Sequence, residues 1–137
     1  MRLVQVASRQ HTRGALRPVY PSTQDFPRFV DPLNTRSTAY APSNDTAGLN
    51  ATQPIGFIEQ AEETYAYVEA SYGVASPYLG IVESSCSSKI GAASRIEVNG
   101  TGALFSIDSL SRIALERCKT ARCAVLLMGG LAEEHGL

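Results

Sequence analysis

The chain has 137 residues, of which 44% are hydrophobic and 18% are charged. This composition is typical of one globular domain and excludes a disordered chain. The formal net charge of −1 gives no reason to expect a nucleic-acid or acidic-membrane partner. No apolar run approaches the roughly 20 residues that cross a bilayer, and the start lacks the apolar stretch of a secretory signal. We therefore expect a soluble chain that binds neither nucleic acid nor membranes.

The first 54 residues are expected to be irregular, because most of the prolines fall here. They are Pro18, Pro21, Pro27, Pro32, Pro42 and Pro54. Proline fixes φ and lacks a backbone N–H, so this spacing disfavours helices and strands. The arginine-rich start is typical either of an organelle-targeting peptide or of a solvated tail. We interpret residues 1–19 as a poorly structured tail and residues 20–137 as a partial domain.

Short strands are predicted next. Residues 55–58 form a brief apolar run, residues 64–70 alternate in the manner of a strand, and residues 79–82 form a second strand. The dipeptide Ser76-Pro77 is a turn signal between the last two. We expect these two strands to pair as an antiparallel hairpin.

Two helices are predicted after a Ser-, Gly- and Ala-rich loop over residues 86–103. The first begins at a cap formed by Ser106 or Asp108. Its expected apolar face consists of Ile107, Leu110, Ile113, Ala114 and Cys118. Arg112 and Glu116 are spaced i,i+4, and we expect them on the outer side of this helix.

The second helix is expected to begin at the cap residue Thr120 and to end at Gly136. Its apolar stripe has a period of 3.6 residues and comprises Ala121, Ala124, Val125, Met128, Leu131 and Ala132. Gly129-Gly130 inside the helix predicts either a close helix contact or a bend.

The cysteines and histidines do not indicate a metal site. Cys86, Cys118 and Cys123 are odd in number and form no C-x-x-C pair, so we expect neither a disulfide framework nor a zinc site. Cys118 is expected to pack on the apolar helix face. His11 and His135 lie near opposite ends of the chain and are expected to be exposed.

One cluster has the composition of a chemical site. Glu83, Ser84, Ser85 and Cys86 follow a predicted strand directly, and Lys89 lies three residues further on. Side chains at such a strand end can line a cleft. Cys86 is either a nucleophile, which needs a nearby base or positive charge, or a small buried thiol, the commoner role of a free cysteine.

Three Asn-x-Ser/Thr triplets begin at Asn44, Asn50 and Asn99, all in predicted loops. Such triplets accept N-linked glycans in secreted proteins. They favour a protein of the secretory route, or of a lysosome- or vacuole-like compartment, although no signal peptide is seen.

Several stretches resemble the dipeptidases related to secernins, which are cysteine peptidases of the N-terminal-nucleophile class. The resemblance covers roughly residues 20–137, and its most specific part is the helix pair. The matching stretches are Tyr20-Pro21, Phe26–Val30, Pro54–Ile58, Glu63–Tyr67, Ser71–Gly73, Glu83–Lys89, Ile107–Cys118, Thr120–Arg122 and Met128–Glu133.

This resemblance implies an α+β fold in which two stacked antiparallel sheets lie between helix layers, an αββα sandwich. It implies dipeptide hydrolysis by an N-terminal cysteine whose own α-amino group is the base, with no metal or cofactor. It places the strand carrying Glu83, Ser84, Ser85 and Cys86 along the substrate cleft, not at the attacking position.

The chain departs from the family in two places. No cysteine precedes Cys86, so the family's nucleophile is not among these residues. The turn at Ser76–Tyr78 lacks the family's usual Asn-Glu pair. We therefore expect an incomplete chain that is inactive by itself and that binds a dipeptide only when completed. The alternatives are a non-catalytic interaction module, with self-association through exposed apolar faces, and a chain whose first 17 or so residues replace the true start.

Overall fold

A computed structural model describes residues 3–20, 54–69, 73–82, 84 and 102–137. These residues form short antiparallel strands followed by a helix pair, which confirms the α+β class. The strands are β1 (Val4–Val6), β2 (Arg9–Gln10), β3 (Leu16–Val19), β4 (Gly56–Glu59), β5 (Glu63–Thr64), β6 (Tyr67–Glu69), β7 (Gly73–Ala75) and β8 (Gly80–Val82). The helices are α1 (Ile107–Arg117) and α2 (Ala121–His135).

The largest sheet has the strand order β1-β6-β7-β8, and every pairing in it is antiparallel. The predicted hairpin is therefore wrong in its partners, because β7 lies between β6 and β8. The predicted turn at Ser76-Pro77 is confirmed, and it connects β7 to β8. The hydroxyl of Ser76 accepts hydrogen bonds from the backbone amides of Tyr78 (3.2 Å) and Leu79 (3.0 Å), as is typical of a serine turn.

Residues 3–19 are not the poorly structured tail that the sequence suggests. β1 pairs with β6, β2 with β5 and β3 with β4, each antiparallel. Pro18 lies in β3, opposite Phe57 in a two-stranded sheet, where a residue without an N–H is tolerated at an edge. All three partner strands lie more than 35 residues further along the chain, and local pattern does not reveal such distant pairing.

The main core cluster lies between β3, β4 and the two helices. Its fully buried members are Val19, Ile58, Leu104, Phe105, Leu110 and Ile113. Leu127, Met128, Leu131 and Ala132 of α2 pack against this cluster. A second cluster joins Val6 and Tyr67 to Leu115 of α1. Together these clusters hold α1 between the strands and α2.

α1 is buried on every side along Ser109–Glu116. Leu110, Ile113, Ala114 and Cys118 are buried as expected, whereas Ile107 is exposed. The expectation that Arg112 and Glu116 face outward is wrong, because both are buried against charged partners from the strands. Ser106 precedes α1, but its side chain makes no capping hydrogen bond to a backbone amide.

α2 begins and ends where the sequence predicts. The side chain of Thr120 accepts a hydrogen bond from the amide of Cys123 (3.2 Å). Gly136 has φ of 82°, and its amide donates to the carbonyl of Ala132 (2.9 Å). A left-handed φ of this kind favours glycine at a helix end. The close contact expected at Gly129 and Gly130 is not found, because a Cβ built at either position has no neighbour within 4 Å.

A disulfide links Cys118 to Cys123, with their Cα atoms 5.6 Å apart. The expectation of no disulfide is therefore wrong for these two residues. Cys118 follows the last turn of α1 and Cys123 lies in the first turn of α2, so the bridge closes the short connection between the helices. An odd cysteine count does not exclude one local pair, and this pairing becomes visible only when both helix ends are placed.

Candidate functional site

The sequence-predicted cleft segment is placed only in part. Ser84 follows β8 and is exposed, and β8 lies at one end of the described four-stranded order. Glu83, Ser85, Cys86 and Lys89 lie outside the described residues, as do the glycosylation candidates Asn44, Asn50 and Asn99. Val82, the last residue of β8, is also exposed. The described residues on either side of Glu83, Val82 and Ser84, are thus both at the protein surface.

The described residues bring together a polar cluster that the sequence did not predict. Arg17 of β3 donates to both carboxylate oxygens of Glu116 in α1, from Nε at 2.7 Å and from Nη2 at 2.9 Å. The hydroxyl of Tyr67 in β6 donates to Oε1 of the same carboxylate at 3.2 Å. The side chains of Arg17 and Glu116 are 2% and 6% exposed. This geometry is the two-pronged pairing that arginine favours with a carboxylate.

A second ion pair lies on the same helix. Arg112 donates from Nε to Oε2 of Glu69 in β6 at 2.6 Å, and both side chains are buried. Nη1 of Arg112 also pairs with Asp108, one turn earlier in α1. Glu69 and Asp108 thus share the charge of one guanidinium. We use the name buried polar cluster for the residues of the three ion pairs together with Tyr67, in which Asp108 is the half-buried member. They are Arg17, Tyr67, Glu69, Asp108, Arg112 and Glu116.

The chemistry of the buried polar cluster is structural. Each buried charge faces an opposite charge with a direct hydrogen bond, which offsets the cost of removing it from water. A catalytic carboxylate needs access to substrate as well as a tuned pKa, and these groups are closed in by the strands and α1. The signal was present in the i,i+4 spacing of Arg112 and Glu116, but spacing alone does not reveal which face of a helix is covered.

Arg117, at the end of α1, lies beside the cluster in less favourable surroundings. Burial and the nearby charge of Arg17 lower the pKa of Arg117, and the carboxylates of Glu116 and Glu59 raise it in part. Its Nη2 donates to the carbonyl of Glu59 at 2.7 Å. Arg117 therefore binds the strand backbone and has no carboxylate within direct bonding distance in the described residues.

An aromatic pair near the disulfide is occupied by the chain itself. The rings of Tyr65 and Tyr78 meet edge to face, with their centroids 5.8 Å apart. Nζ of Lys119 lies 4.7 Å from the centroid of Tyr65 and 5.2 Å from that of Tyr78. These are cation–π distances. The pair therefore links the residue after β5 and the turn before β8 to the connection between the helices.

Within the ranges that the structure describes, no group of three or more histidine, cysteine or acidic side chains is arranged to hold a metal ion. In the same ranges, neither helix combines the length and apolar character that a membrane span requires.

The comparisons with known proteins gave no relative. No family model, no curated protein and no solved structure matches this chain significantly. The resemblance to secernin-related dipeptidases thus stands on the quoted stretches of sequence alone.

Proposed function

We propose that this chain is part of a cysteine dipeptidase of the N-terminal-nucleophile class and does not hydrolyse dipeptides by itself. The observation that carries the proposal is the resemblance over roughly residues 20–137, which is most specific in the helix pair and includes the segment Glu83–Lys89 directly after β8. In the proposed enzyme, Glu83, Ser84, Ser85 and Cys86 line the substrate cleft. The nucleophile is a cysteine supplied upstream of the matched stretches, and its α-amino group is the base.

The disulfide supports the proposal that the nucleophile is not one of the cysteines of this chain. A thiolate is required for attack, and Cys118 and Cys123 are joined to each other. Cys86 is then the remaining cysteine. The resemblance matches Cys86 to the family's interior cysteine, and we therefore assign it to the cleft wall.

The proposed fold is the αββα sandwich of the class. We propose that the sheet β1-β6-β7-β8 and α1, which packs against β6 and β7, belong to one sheet and one helix layer of that sandwich. The second sheet and the opposite helix layer are proposed to come from the rest of the enzyme. Fold-level analogy of this kind says little about individual residues, so the cleft roles need a direct test.

The activity test uses the purified 137-residue chain with simple dipeptides, alongside the variant Cys86→Ala. Both proteins should leave the dipeptides intact at the rate of the buffer alone. Robust hydrolysis by the wild-type chain that is lost in Cys86→Ala would overturn the proposal and make Cys86 the nucleophile. The matched control is Cys123→Ser, which opens the disulfide and leaves Cys86 in place.

The dipeptidase assignment itself is tested on the transcript. An in-frame segment 5′ of Met1 should encode a strand that begins, after processing, with a cysteine. A transcript that contains no such segment in frame would contradict the assignment. Joining this segment and the rest of the enzyme to the chain should give hydrolysis, and a Cys→Ala change in the added segment should abolish it.

The compartment follows from the disulfide and the triplets together. Disulfides persist in oxidising environments, and the three Asn-x-Ser/Thr triplets favour the secretory route. We therefore assign the full protein to the secretory or lysosome-like route. Enzymatic removal of N-linked glycans from the protein purified from its native cells should increase its mobility. Unchanged mobility together with free thiols at all three cysteines would contradict this assignment.

A non-catalytic interaction module is the second candidate. The observation that favours it is the exposure of Val125 and Leu126, two large apolar side chains on the outer side of α2. Surface of this kind marks an interaction site when it is contiguous.

A further inference from the structure

The outer face of α2 is apolar at its centre and charged at its two ends. We use the name outer face for Arg122, Val125, Leu126, Gly129, Gly130 and Glu133. Val125 is 69% exposed and Leu126 is 64% exposed. Gly129 and Gly130 are exposed as well, and a Cβ built on either meets no atom within 4 Å. Two large apolar side chains, those of Val125 and Leu126, thus lie beside two positions that have no side chain, Gly129 and Gly130.

The opposite side of α2 is already used. Ala124 is buried, and Leu127, Met128, Leu131 and Ala132 pack against the core and α1. At 100° per residue, Ala124, Leu127, Met128 and Leu131 lie on the side of the helix away from the outer face, and Ala132 lies at its edge beside Val125. The outer face is therefore a second surface of the same helix. Packing within the described residues does not explain why its central side chains are apolar.

The outer face is complementary to itself when two copies run antiparallel. Positions 122 and 133, 125 and 130, and 126 and 129 are symmetric about the midpoint between Leu127 and Met128. In that register Arg122 of one copy meets Glu133 of the other. Val125 then lies level with Gly130 of the other copy and Leu126 level with Gly129, so each large apolar side chain shares its level with a residue that has none. A twofold axis makes every contact occur twice.

We propose that the outer face of α2 is a homodimer interface in which two copies of this chain pair through antiparallel α2 helices. A second copy is favoured over another partner because the match in charge and in side-chain size comes from the face itself. A parallel pair would instead place Arg122 against Arg122 and Glu133 against Glu133. One helix pair is small beside the roughly 1,200–2,000 Å² that stable interfaces bury, so the dimer is a weak one that dissociates at micromolar concentration.

The test uses sedimentation equilibrium of the full 137-residue chain over a range of concentrations. Arg122→Glu and Glu133→Arg each place like charges in both symmetric contacts. Each variant alone should weaken dimerisation by roughly tenfold or more, where tenfold corresponds to about 1.4 kcal/mol. An equimolar mixture of the two variants should form a heterodimer of near wild-type affinity, because opposite charges then meet at both contacts between positions 122 and 133.

The matched control is Glu134→Arg, which makes the same charge change on the same helix. The side chain of Glu134 is 72% exposed and lies about 110° around the helix from the centre of the outer face, so dimerisation should change by less than about twofold. Leu126→Glu should abolish dimerisation. All positions are on the surface, and unchanged far-UV circular dichroism establishes that each variant is folded.

Three results would overturn the proposal. The first is a wild-type chain that is monomeric at every concentration, as expected if another segment of the chain covers the outer face. The second is a dimer that Leu126→Glu leaves intact. The third is a mixture of the two charge-reversal variants that dimerises no better than either alone, which excludes the antiparallel pairing. None of these results depends on peptidase activity, so they leave the dipeptidase proposal untouched.

Discussion

The two helices are neighbours in sequence and meet in space, yet they handle their polar and apolar residues in opposite ways. α1 buries Arg112 and Glu116 and satisfies them with charges from β3 and β6. α2 buries its inner side and leaves Val125 and Leu126 in solvent. The difference shows that the sequence of a helix does not by itself define which side is inside. The elements packed around the helix define its inner side, and one side of α2 is not covered by the described elements.

The largest effect is expected from breaking the buried polar cluster on α1. Glu116→Leu leaves the guanidinium of Arg17 buried without its carboxylate. Removal of one partner of a buried pair typically costs about 3–5 kcal/mol, and the free energy of unfolding should fall by that amount. Urea unfolding measures it.

The matched control for this variant is Glu133→Leu, the same substitution on the outer face of α2. It should change monomer stability by less than about 0.5 kcal/mol. Equal losses at the two positions would show that Glu116 is not buried in the way described here.

The second-largest loss of stability is expected at the connection between the helices. Opening the Cys118–Cys123 disulfide should cost about 2 kcal/mol, because a short loop restricts the unfolded chain less than a long one. Cys123→Ser is the suitable variant, since Cys123 is exposed and Cys118 is not. Unfolding with and without reductant gives the same comparison for the wild-type chain.

The disulfide also predicts a labelling pattern. Alkylation of the unfolded, unreduced chain followed by mass spectrometry should modify Cys86 alone. Modification of Cys118 or Cys123 before reduction would contradict the pairing.

The third-largest loss of stability is expected at the start of α2, because α2 has a side-chain cap and α1 does not. Thr120→Ala removes the hydroxyl that accepts from the amide of Cys123, and such a loss typically costs about 1 kcal/mol. Ser106→Ala is the control, because the Ser106 hydroxyl bonds Asp108 and Ser109 side chains and no backbone amide. Thermal unfolding should show the larger drop for Thr120→Ala, and the reverse order would contradict the assignment of caps.

The smallest effect distinguishes the glycines of α2. Gly130→Ala should raise monomer stability by about 0.5–1 kcal/mol, because alanine is the better helix former and its Cβ has open space. Gly136→Ala should lower it, since φ is 82° and a Cβ would lie 3.0 Å from the Cα of Ala103. Chemical denaturation at low protein concentration gives both signs. A gain at Gly136 or a loss at Gly130 would contradict the description of this helix.

The features that the sequence predicts correctly are local ones. Thr120, Gly136 and the turn at Ser76 are each encoded within a few residues. The alternation over residues 64–70 predicts one strand, which the structure divides into β5 and β6. The features that it misses depend on partners far along the chain. β3 forms only because β4 pairs with it, and Arg17 and Glu116 meet across 99 residues of sequence. The disulfide, by contrast, is local but needs the angle between α1 and α2 to be known.

The candidate site also has one part that the sequence predicts and one part that it misses. The segment Glu83–Lys89 is visible from its composition and from its position after a strand, and the structure describes Ser84 beyond β8. The sequence predicts no buried polar cluster, because the spacing of Arg112 and Glu116 does not show that β3 and β6 supply their charged partners. Charged residues in a pattern do not reveal whether water or another charge faces them.

The most direct test of the account is a double-mutant cycle on Arg17 and Glu116, the contact that fastens the first strands to α1. Arg17→Met and Glu116→Leu should each lower the free energy of unfolding by about 3–5 kcal/mol, and the double variant should recover at least about 2 kcal/mol of the summed loss. Additive losses, or single losses below about 0.5 kcal/mol, would contradict a buried ion pair. They would instead favour the solvated tail that the sequence suggests for residues 1–19.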